Sequence, residues 1–303
     1  MKRVALARTL ASITAATAAV FLLAVGSASA ASGPPTLELK GPKKLGLLDR
    51  VIASGRVPGF AGEQVTIKVS ASGRDAGGGK VVPSANGAFT FPFVIDVCCR
   101  YEVTATAAGQ SSPAKTFIVK VPRRVGKGPV TKLYNDKLRE QGYYTGHAGN
   151  RFGMGSRLAT LAFRKVNGMG RRTGYLPAIF KKLLRGEGAF KPRYSDGHHV
   201  EADLSRQVMA LVEGDKPVAT FHISSGAGGT PTVRGNFRFY LKQPGYNAKR
   251  MYYSVYFIGG YATHGYNPVP TYPASHGCLR NPIPFARYIY NWINLGDPMH
   301  VYG

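Results

Sequence analysis

The spacing of apolar residues changes twice along this chain, and each change marks a different kind of structure. Over residues 35–121, apolar and polar residues alternate as in β-strands, for example at Val65 and Ile67. Over residues 129–188, apolar residues recur three and four positions apart, which is the spacing of amphipathic helices. From about residue 190 the alternation returns. In a chain of 303 residues, this pattern predicts a multidomain protein with three domains.

The first domain, residues 35–121, is predicted to be all-β. Its strand-like runs are separated by turn signals such as Pro58-Gly59 and Asn86-Gly87. Roughly seven short strands in fewer than about a hundred residues favour an immunoglobulin-like sandwich. The segment contains no cluster of convergent polar residues. We therefore expect a spacer or binding module here and no catalytic role.

The second domain, residues 129–188, is predicted to be a small bundle of three helices. The apolar faces run from Val130 to Leu138, from Leu158 to Val166 and from Leu176 to Leu184. These landmarks, with Gly142-Tyr143-Tyr144 between the first two, resemble the peptidoglycan-binding domain family. The usual glutamine after the aromatic residue of the second helix is here Arg164. The resemblance implies binding to the cell wall, and a generic three-helix core is the alternative.

The third domain, residues 190–303, is predicted to be mostly β with one helix near the C-terminus. The strand-like runs are 199–203, 207–213, 217–224, 236–242, 251–258, a run at Tyr261, and a last one through Met299 and Val301. The helix carries an apolar stripe from Phe285 to Ile293 and is expected to end by Gly296.

Two short motifs of this third domain carry the strongest functional signal in the chain. Residues 261–265 read YATHG, and residues 275–280 read SHGCLR. A cysteine becomes a good nucleophile when a nearby imidazole takes its proton, and both His264 and His276 lie near Cys278 in sequence. Gly277 allows a tight turn that directs consecutive N–H groups toward an oxyanion.

These motifs resemble the catalytic domain of the L,D-transpeptidases, often called YkuD-type. The resemblance begins with HVEADLSRQVMALV at residues 199–212 and covers nearly all of residues 190–303. It implies a β-rich fold and a transferase that crosslinks peptidoglycan stem peptides. Two departures concern substrate recognition: the gap between His264 and Ser275 is shorter than in many members, and Arg280 stands where some carry asparagine.

The resemblance also implies roles for individual residues. Cys278 is expected to form an acyl-enzyme with the stem peptide, and His264 is expected to be its general base. The N–H groups of Gly277 and Cys278 are candidates for the oxyanion hole. The resemblance also favours a supporting role for His276. From residue type alone, Ser275 is a candidate to cap the turn, Arg280 to bind a substrate carboxylate and Tyr253 to line the donor groove, with plain packing as the alternative for Ser275 and Tyr253. No cofactor or metal is expected.

The first thirty residues predict export. A basic start, an apolar stretch from Ala15 to Val25 and the small-residue site Ala28-Ser29-Ala30 are typical of a secretory signal peptide. No later apolar run approaches the roughly 18 residues that span a bilayer, so no membrane span is expected after cleavage. An uncleaved anchor helix is the alternative.

The three cysteines and the charge are interpreted in this exported setting. Adjacent Cys98 and Cys99 would point to opposite faces of a strand, so we expect unbonded strand residues in preference to a vicinal disulfide. Cys278 is then a free thiol. The net charge of +25 falls to +22 without the signal peptide. It favours attraction to anionic wall polymers, against a basic surface without a partner, and no nucleic-acid partner is expected.

Three other functions fit parts of the sequence. An L,D-carboxypeptidase would use the same thioester and differ only in resolving it with water. A noncatalytic wall-binding protein would account for the first two domains and leave the free thiol beside histidines without a purpose. A zinc hydrolase would use His264, His276 and Cys278 as ligands, but no acidic general base or compact His-Glu spacing accompanies them.

Overall fold

The computed structural model describes residues 33–60 and 62–303. The predicted signal peptide, residues 1–30, lies outside the described residues. Three segments with separate secondary structure follow one another along the chain: a β domain, a helical domain and a C-terminal domain that is mostly β.

The N-terminal β domain contains two antiparallel sheets. Its strands are β1 Glu38–Lys40, β2 Arg50–Arg56, β3 Val65–Ala71, β4 Arg74–Val81, β5 Ala88–Val94, β6 Arg100–Ala107, β7 Gln110–Ser111 and β8 Lys115–Ile118. One sheet has the order β1-β2-β5; the other has β4-β3-β6, with β7 and β8 both paired to β6. In β3, Val65, Ile67 and Val69 are buried in the shared core while the intervening side chains face outward. The immunoglobulin-like classification stays a prediction.

Cys98 and Cys99 form a disulfide with each other. The expectation of two unbonded strand cysteines is therefore wrong. Both residues lie in the loop between β5 and β6, where the alternation that separates neighbouring side chains in a strand no longer applies. With this pair bonded, Cys278 is the free cysteine of the chain.

The helical domain contains α1 Pro129–Glu140, α2 Met154–Val166 and α3 Pro177–Leu184. Two of the helices begin at proline. Proline has no N–H group, and in the first turn of a helix this group would have no partner within the helix. Each helix buries one stripe, and the stripes meet around Tyr134, Phe163 and Phe180. The rings of Tyr134 and Phe180 pack edge to face with 5.2 Å between centroids.

The C-terminal domain consists of two sheets and one helix. Its elements are β9 His198–Asp203, β10 Val208–Glu213, β11 Lys216–His222, β12 Gly235–Arg238, β13 Leu241–Tyr246, β14 Tyr252–Ile258, β15 Tyr261–Tyr266, β16 Leu279–Pro282, α4 Ile283–Trp292 and β17 Pro298–Tyr302. One sheet has the order β11-β10-β9-β17-β12 and the other β13-β14-β15-β16. Both sheets and α4 enclose one apolar core.

The predicted strand 236–242 is in fact two strands in different sheets. β12 pairs with β17, whereas β13 pairs with β14. Between them the chain crosses the core at Phe239, which is buried against Phe257. A run of alternating residues cannot show this crossing, because both strands keep the same period.

The helical domain covers one face of the five-stranded sheet. Along β10, Met209 and Leu211 face the core shared by the two sheets. On the opposite face, Val208, Ala210 and Val212 lie in a second small core beside Val166 of α2. The segment after α1 also pairs with the sheet edge, because the Thr220 N–H donates to the Gly142 carbonyl at 2.7 Å. The two domains therefore share an apolar face and backbone hydrogen bonds. No helix among residues 33–60 and 62–303 is both long and apolar enough to cross a membrane.

Candidate active site

Parallel pairing of β15 with β16 brings the two sequence motifs together. Thr263 pairs with Leu279, and His264 pairs with Arg280. Since side chains alternate along each strand, Thr263 and Leu279 share the face toward the core, where both are fully buried. Cys278 immediately precedes Leu279 and so belongs to the face of His264.

A cleft of about 230 Å³ opens on this face. Five of the residues predicted from sequence line it: His264, Ser275, His276, Cys278 and Arg280. Lys249, Met251, Gly260 and Tyr266 complete its wall. The sequence reasoning missed Lys249 and Met251, which come from the β13–β14 hairpin and belong to no motif. Gly277 and Tyr253 are not among the residues that line the cleft.

His264 is held in one tautomer by its own strand. The ring is only 3% exposed, and its Nδ1 lies 3.0 Å from the carbonyl oxygen of Gly265. A carbonyl only accepts, so Nδ1 carries the proton and Nε2 keeps a free lone pair. Burial lowers the pKa of His264 to about 4, and the nearby Arg280 charge acts in the same direction. The imidazole is therefore a neutral acceptor at neutral pH.

Cys278 rests as a protonated thiol. Its Sγ is 3.7 Å from the Gly260 carbonyl, to which the thiol donates weakly. Burial raises the pKa of Cys278, although the Ala262 N–H and the charges of Lys249 and Arg280 partly offset this effect. The resting pair is thus a neutral thiol and a neutral imidazole. A thiolate would form as the proton moves to the base.

A short hydrogen-bonded turn presents the thiol. Ser275 Oγ accepts from the Gly277 N–H at 3.1 Å and donates to the Cys278 carbonyl at 2.5 Å. Ser275 is buried, so it caps the turn from inside. This arrangement changes the expectation for the oxyanion hole, because the Gly277 N–H is already bonded within the turn. The Cys278 N–H has no partner within the described part of the chain and remains a candidate donor.

Gly277 is required by the shape of this turn. Its φ is +110°, in the region that glycine adopts readily and other residues rarely do. A Cβ at this position would also overlap the ring of Tyr261 at the start of β15. Glycine therefore allows the turn to pass close to the strand that carries His264.

The connection between β11 and β12 supports the turn from the other side. The Ser225 carbonyl accepts from the N–H groups of Ala274 and Ser275 at 2.8 and 2.9 Å. Thr232 Oγ1 donates to the Gly277 carbonyl at 2.8 Å. Sequence reasoning did not find Ser225 and Thr232, because these contacts join residues more than forty positions apart.

Arg280 and His276 occupy the open side of the cleft. The Arg280 guanidinium lies over the ring of Tyr266, 4.2 Å from its centroid, and has no carboxylate within ion-pair distance in the described residues. His276 is exposed at the rim. Tyr253 instead packs against Tyr290 of α4, with 5.0 Å between ring centroids. It lies where the pairing of β14 with β15 is irregular, so simple alternation does not predict its direction.

Comparison with known proteins identifies the family of the catalytic domain. The family model of the L,D-transpeptidase catalytic domain (YkuD) matches residues 197–301. A crystal structure of an L,D-transpeptidase from Xylanimonas cellulosilytica is 31% identical, with a TM-score of 0.55, over 60% of this chain and 98% of that chain. This chain belongs to the L,D-transpeptidase family. Members of this family are cysteine-dependent acyltransferases that act on peptidoglycan stem peptides of the cell wall.

Two further L,D-transpeptidase structures show lower similarity. One from Stackebrandtia nassauensis is 21% identical, with a TM-score of 0.38, over 61% of this chain and 96% of that chain. One from Mycobacterium tuberculosis is 11% identical, with a TM-score of 0.33, over 88% of this chain and 98% of that chain. Comparison with curated protein sequences finds no match. Within the described residues, no group of three or more His, Cys, Asp or Glu side chains is arranged to hold a metal ion.

Proposed function

We propose that this L,D-transpeptidase is exported and crosslinks peptidoglycan stem peptides through a thioester on Cys278. The observation that carries the proposal is the single cleft shared by the free thiol of Cys278, the neutral imidazole of His264 and the unpaired Arg280. Family membership supplies the substrate class. The export part is based on the predicted signal peptide, residues 1–30.

The first half-reaction forms the acyl-enzyme. His264 Nε2 takes the thiol proton as the Cys278 sulfur attacks the carbonyl carbon of the L-centre residue in a tetrapeptide stem. The negative charge on the carbonyl oxygen faces the Cys278 N–H, which is free to donate. The C–N bond to the terminal D-alanine then breaks. The proton on His264 passes to the departing amine, and a thioester remains on the enzyme.

The second half-reaction resolves the thioester. The amine of a second stem attacks the thioester carbonyl and loses a proton to His264. The C–S bond breaks, and the sulfur takes that proton back, which restores the neutral pair. The lowered pKa of His264 keeps the imidazole neutral at neutral pH, so its Nε2 lone pair is available at the start of each half-reaction.

Arg280 is proposed to orient the donor. Its guanidinium is stacked on Tyr266 and lacks a carboxylate partner within the described part of the chain, so it is free to bind the terminal carboxylate of the stem. Lys249 adds a second positive charge to the same cleft. The high net charge of the whole protein favours its accumulation at an anionic wall.

The products formed from a defined substrate test the proposal. Purified mature protein is incubated with a peptidoglycan fragment that bears a tetrapeptide stem, with and without an amine acceptor, and the products are identified by mass spectrometry. Crosslinked dimer supports the transferase. Tripeptide alone would indicate an L,D-carboxypeptidase. The Cys278→Ala variant is the control, and product formation by that variant would contradict the thioester.

A further inference from the structure

A lysine of the helical domain is buried inside the catalytic domain. Lys165 lies in the last turn of α2 and is only 3% exposed. Its Nζ donates to the carbonyls of Gln207 at 3.0 Å and Ile223 at 3.1 Å, and lies 2.7 Å from Nδ1 of His222. It has no carboxylate within ion-pair distance among the described residues. These three groups alone compensate the lost hydration of the amine.

His222 extends this contact toward the active site. The ring is buried, and its Nε2 lies 3.1 Å from the carbonyl of Val269. Since that carbonyl only accepts, Nε2 carries the ring proton and Nδ1 accepts from Lys165. The three N–H groups of a protonated Lys165 then have three acceptors, and the one N–H of a neutral His222 has one. Each N–H group therefore has an acceptor, and the hydrogen bonds run in one direction, from Lys165 to His222 and from His222 to Val269.

The residues that follow β15 receive a second contact from the helical domain. We refer to residues 267–274, which lead from β15 to Ser275, as the approach segment. Arg171, in the loop after α2, donates to the Thr271 carbonyl at 2.9 Å and to the Ser205 carbonyl at 3.0 Å. Ser224 Oγ donates to the Tyr272 carbonyl at 2.7 Å. Side chains outside the approach segment therefore bind its carbonyls at three positions.

The sequence of the approach segment explains why it needs such donors. Residues 267–273 read NPVPTYP, so Pro268, Pro270 and Pro273 supply no N–H group. A segment with so few donors cannot form the regular ladder of a strand, so side-chain donors to its carbonyls hold it in place instead. Its last residue, Ala274, is directly followed by the turn that presents Cys278.

We propose that Lys165 and Arg171 of the helical domain are positioning residues for Cys278, which they hold in place through the backbone of the approach segment. Lys165 acts through His222 on Val269, and Arg171 acts directly on Thr271. The inference rests on the proposed role of Cys278 as nucleophile. It makes the helical domain part of the active-site framework, in addition to any contact with the wall.

The chemistry of Lys165 supports a role beyond stability. The three acceptors around its Nζ require the protonated amine of Lys165, whereas burial lowers its pKa to about 6, so holding the charge at this place has a cost. An apolar side chain of similar length would fill the space without that penalty. Arg171 is exposed, and an exposed side chain contributes little to folding, so both residues are better explained by the carbonyls that they hold.

The test compares Arg171→Ala with Arg172→Ala. Arg172 is the next residue, carries the same charge, is exposed, and makes no side-chain hydrogen bond or ion pair within the described part of the chain. Two readouts are taken: formation of crosslinked dimer, and the pH profile of Cys278 alkylation by iodoacetamide, followed by intact mass. Alkylation needs no peptidoglycan substrate. It therefore reports on the thiol even if the protein proves not to be a transpeptidase.

We expect Arg171→Ala to lower the rate of dimer formation about tenfold, because small displacements of a reacting group lower rates strongly. Release of the approach segment hydrates the thiol, so we expect the alkylation profile of Cys278 to move down in pH, toward that of an ordinary cysteine. The Arg171→Lys variant keeps a positively charged donor, so it should retain part of the rate of dimer formation and part of the original alkylation profile. Arg172→Ala stays within about twofold of the unmodified protein.

Equal alkylation profiles for Arg171→Ala and Arg172→Ala would overturn the proposal for Arg171. A fall in turnover without a shifted profile would do so as well, because it would place the effect of Arg171 away from the thiol. Lys165→Met is examined in the same way, with its melting temperature. An unchanged profile in a folded Lys165→Met protein would overturn the proposal for Lys165. If this variant does not fold, the Arg171 comparison decides alone.

Discussion

Replacement of Gly277 by alanine is the sharpest test of how the turn presents Cys278. The φ of +110° at this position is unfavourable for any residue with a Cβ. The new methyl group would also meet the ring of Tyr261, with Cζ at 3.0 Å and two further ring atoms closer still. The backbone or the ring must therefore move, and Cys278 is the next residue.

The two effects have different sizes. The backbone conformation alone costs about 1–3 kcal/mol for a non-glycine residue. If the ring of Tyr261 moves aside, the backbone conformation accounts for most of the lost free energy of unfolding. A loss of about 2 kcal/mol lowers the melting temperature by roughly 4–8 °C. If the turn moves instead, the thiol is displaced from His264. A displacement of about 1 Å is enough for a loss of about 100-fold in turnover.

Thermal melting and dimer formation are measured for Gly277→Ala and for Gly228→Ala. Gly228 lies in the same domain, has no positive φ and has open space around an added methyl group, so its substitution is the matched control. The Tyr261→Ala background separates the two effects, because removal of the ring relieves the overlap and leaves the backbone penalty. Gly277→Ala protein with the melting temperature and turnover of the Gly228→Ala control would refute this account of the turn.

Four other outcomes follow from the site. Cys278→Ala should abolish dimer formation and leave wall binding intact, and a pull-down on isolated wall compared with turnover checks both; retained turnover would exclude the nucleophile assignment. Because the pKa of His264 is lowered to about 4, the acid limb of turnover should lie near pH 4, and an inflection near 6.5 would argue against a buried neutral base. In the unfolded chain His264 binds a proton below about pH 6.5, whereas in the folded protein it does so only near pH 4. The urea concentration at the unfolding midpoint should therefore fall as the pH drops from about 6.5 to 4. The His264→Gln variant should show a weaker dependence of this midpoint on pH. Arg280→Ala should lower kcat/KM for the tetrapeptide about 10- to 100-fold through loss of a charge-assisted bond, and an unchanged value would remove Arg280 from substrate binding.

Reaction with β-lactams offers an independent check of the free thiol. Membership of the L,D-transpeptidase family leads us to expect acylation by carbapenem-type compounds. Intact mass should then show one adduct on the mature protein, mapped to Cys278, since Cys98 and Cys99 are bonded to each other. An adduct at another residue would contradict the assignment of the nucleophile.

Local sequence was sufficient to pick out two residues, His264 and Cys278, that line one cleft in the folded structure. His264 and Cys278 belong to short contiguous motifs, and the chemistry of a thiol beside an imidazole depends on residue type. The character of each segment was also readable, because strand and helix periods arise from neighbouring residues. The confirmed part of the prediction is accordingly the β-rich L,D-transpeptidase catalytic domain at the C-terminal end.

Local sequence patterns did not predict the contacts between distant parts of the chain. The split of residues 236–242 between two sheets depends on which strands pair, and pairing is decided by the whole core. The disulfide of Cys98 with Cys99 depends on where β5 ends. Tyr253 packs against Tyr290 at an irregularity in the β14–β15 pairing, which residue alternation does not predict.

The same division applies to the site itself. Residue types along the chain were enough to predict a cysteine nucleophile with a histidine base and a glycine turn between them. The folded structure alone determined that the thiol is neutral, that the Gly277 N–H is bonded within the turn, and that Lys165 reaches His222 from another domain. The burial of the thiol and the contact of Lys165 with His222 depend on residues far apart in sequence, and the bond within the turn depends on the positive φ of Gly277, so each arises only when the chain folds.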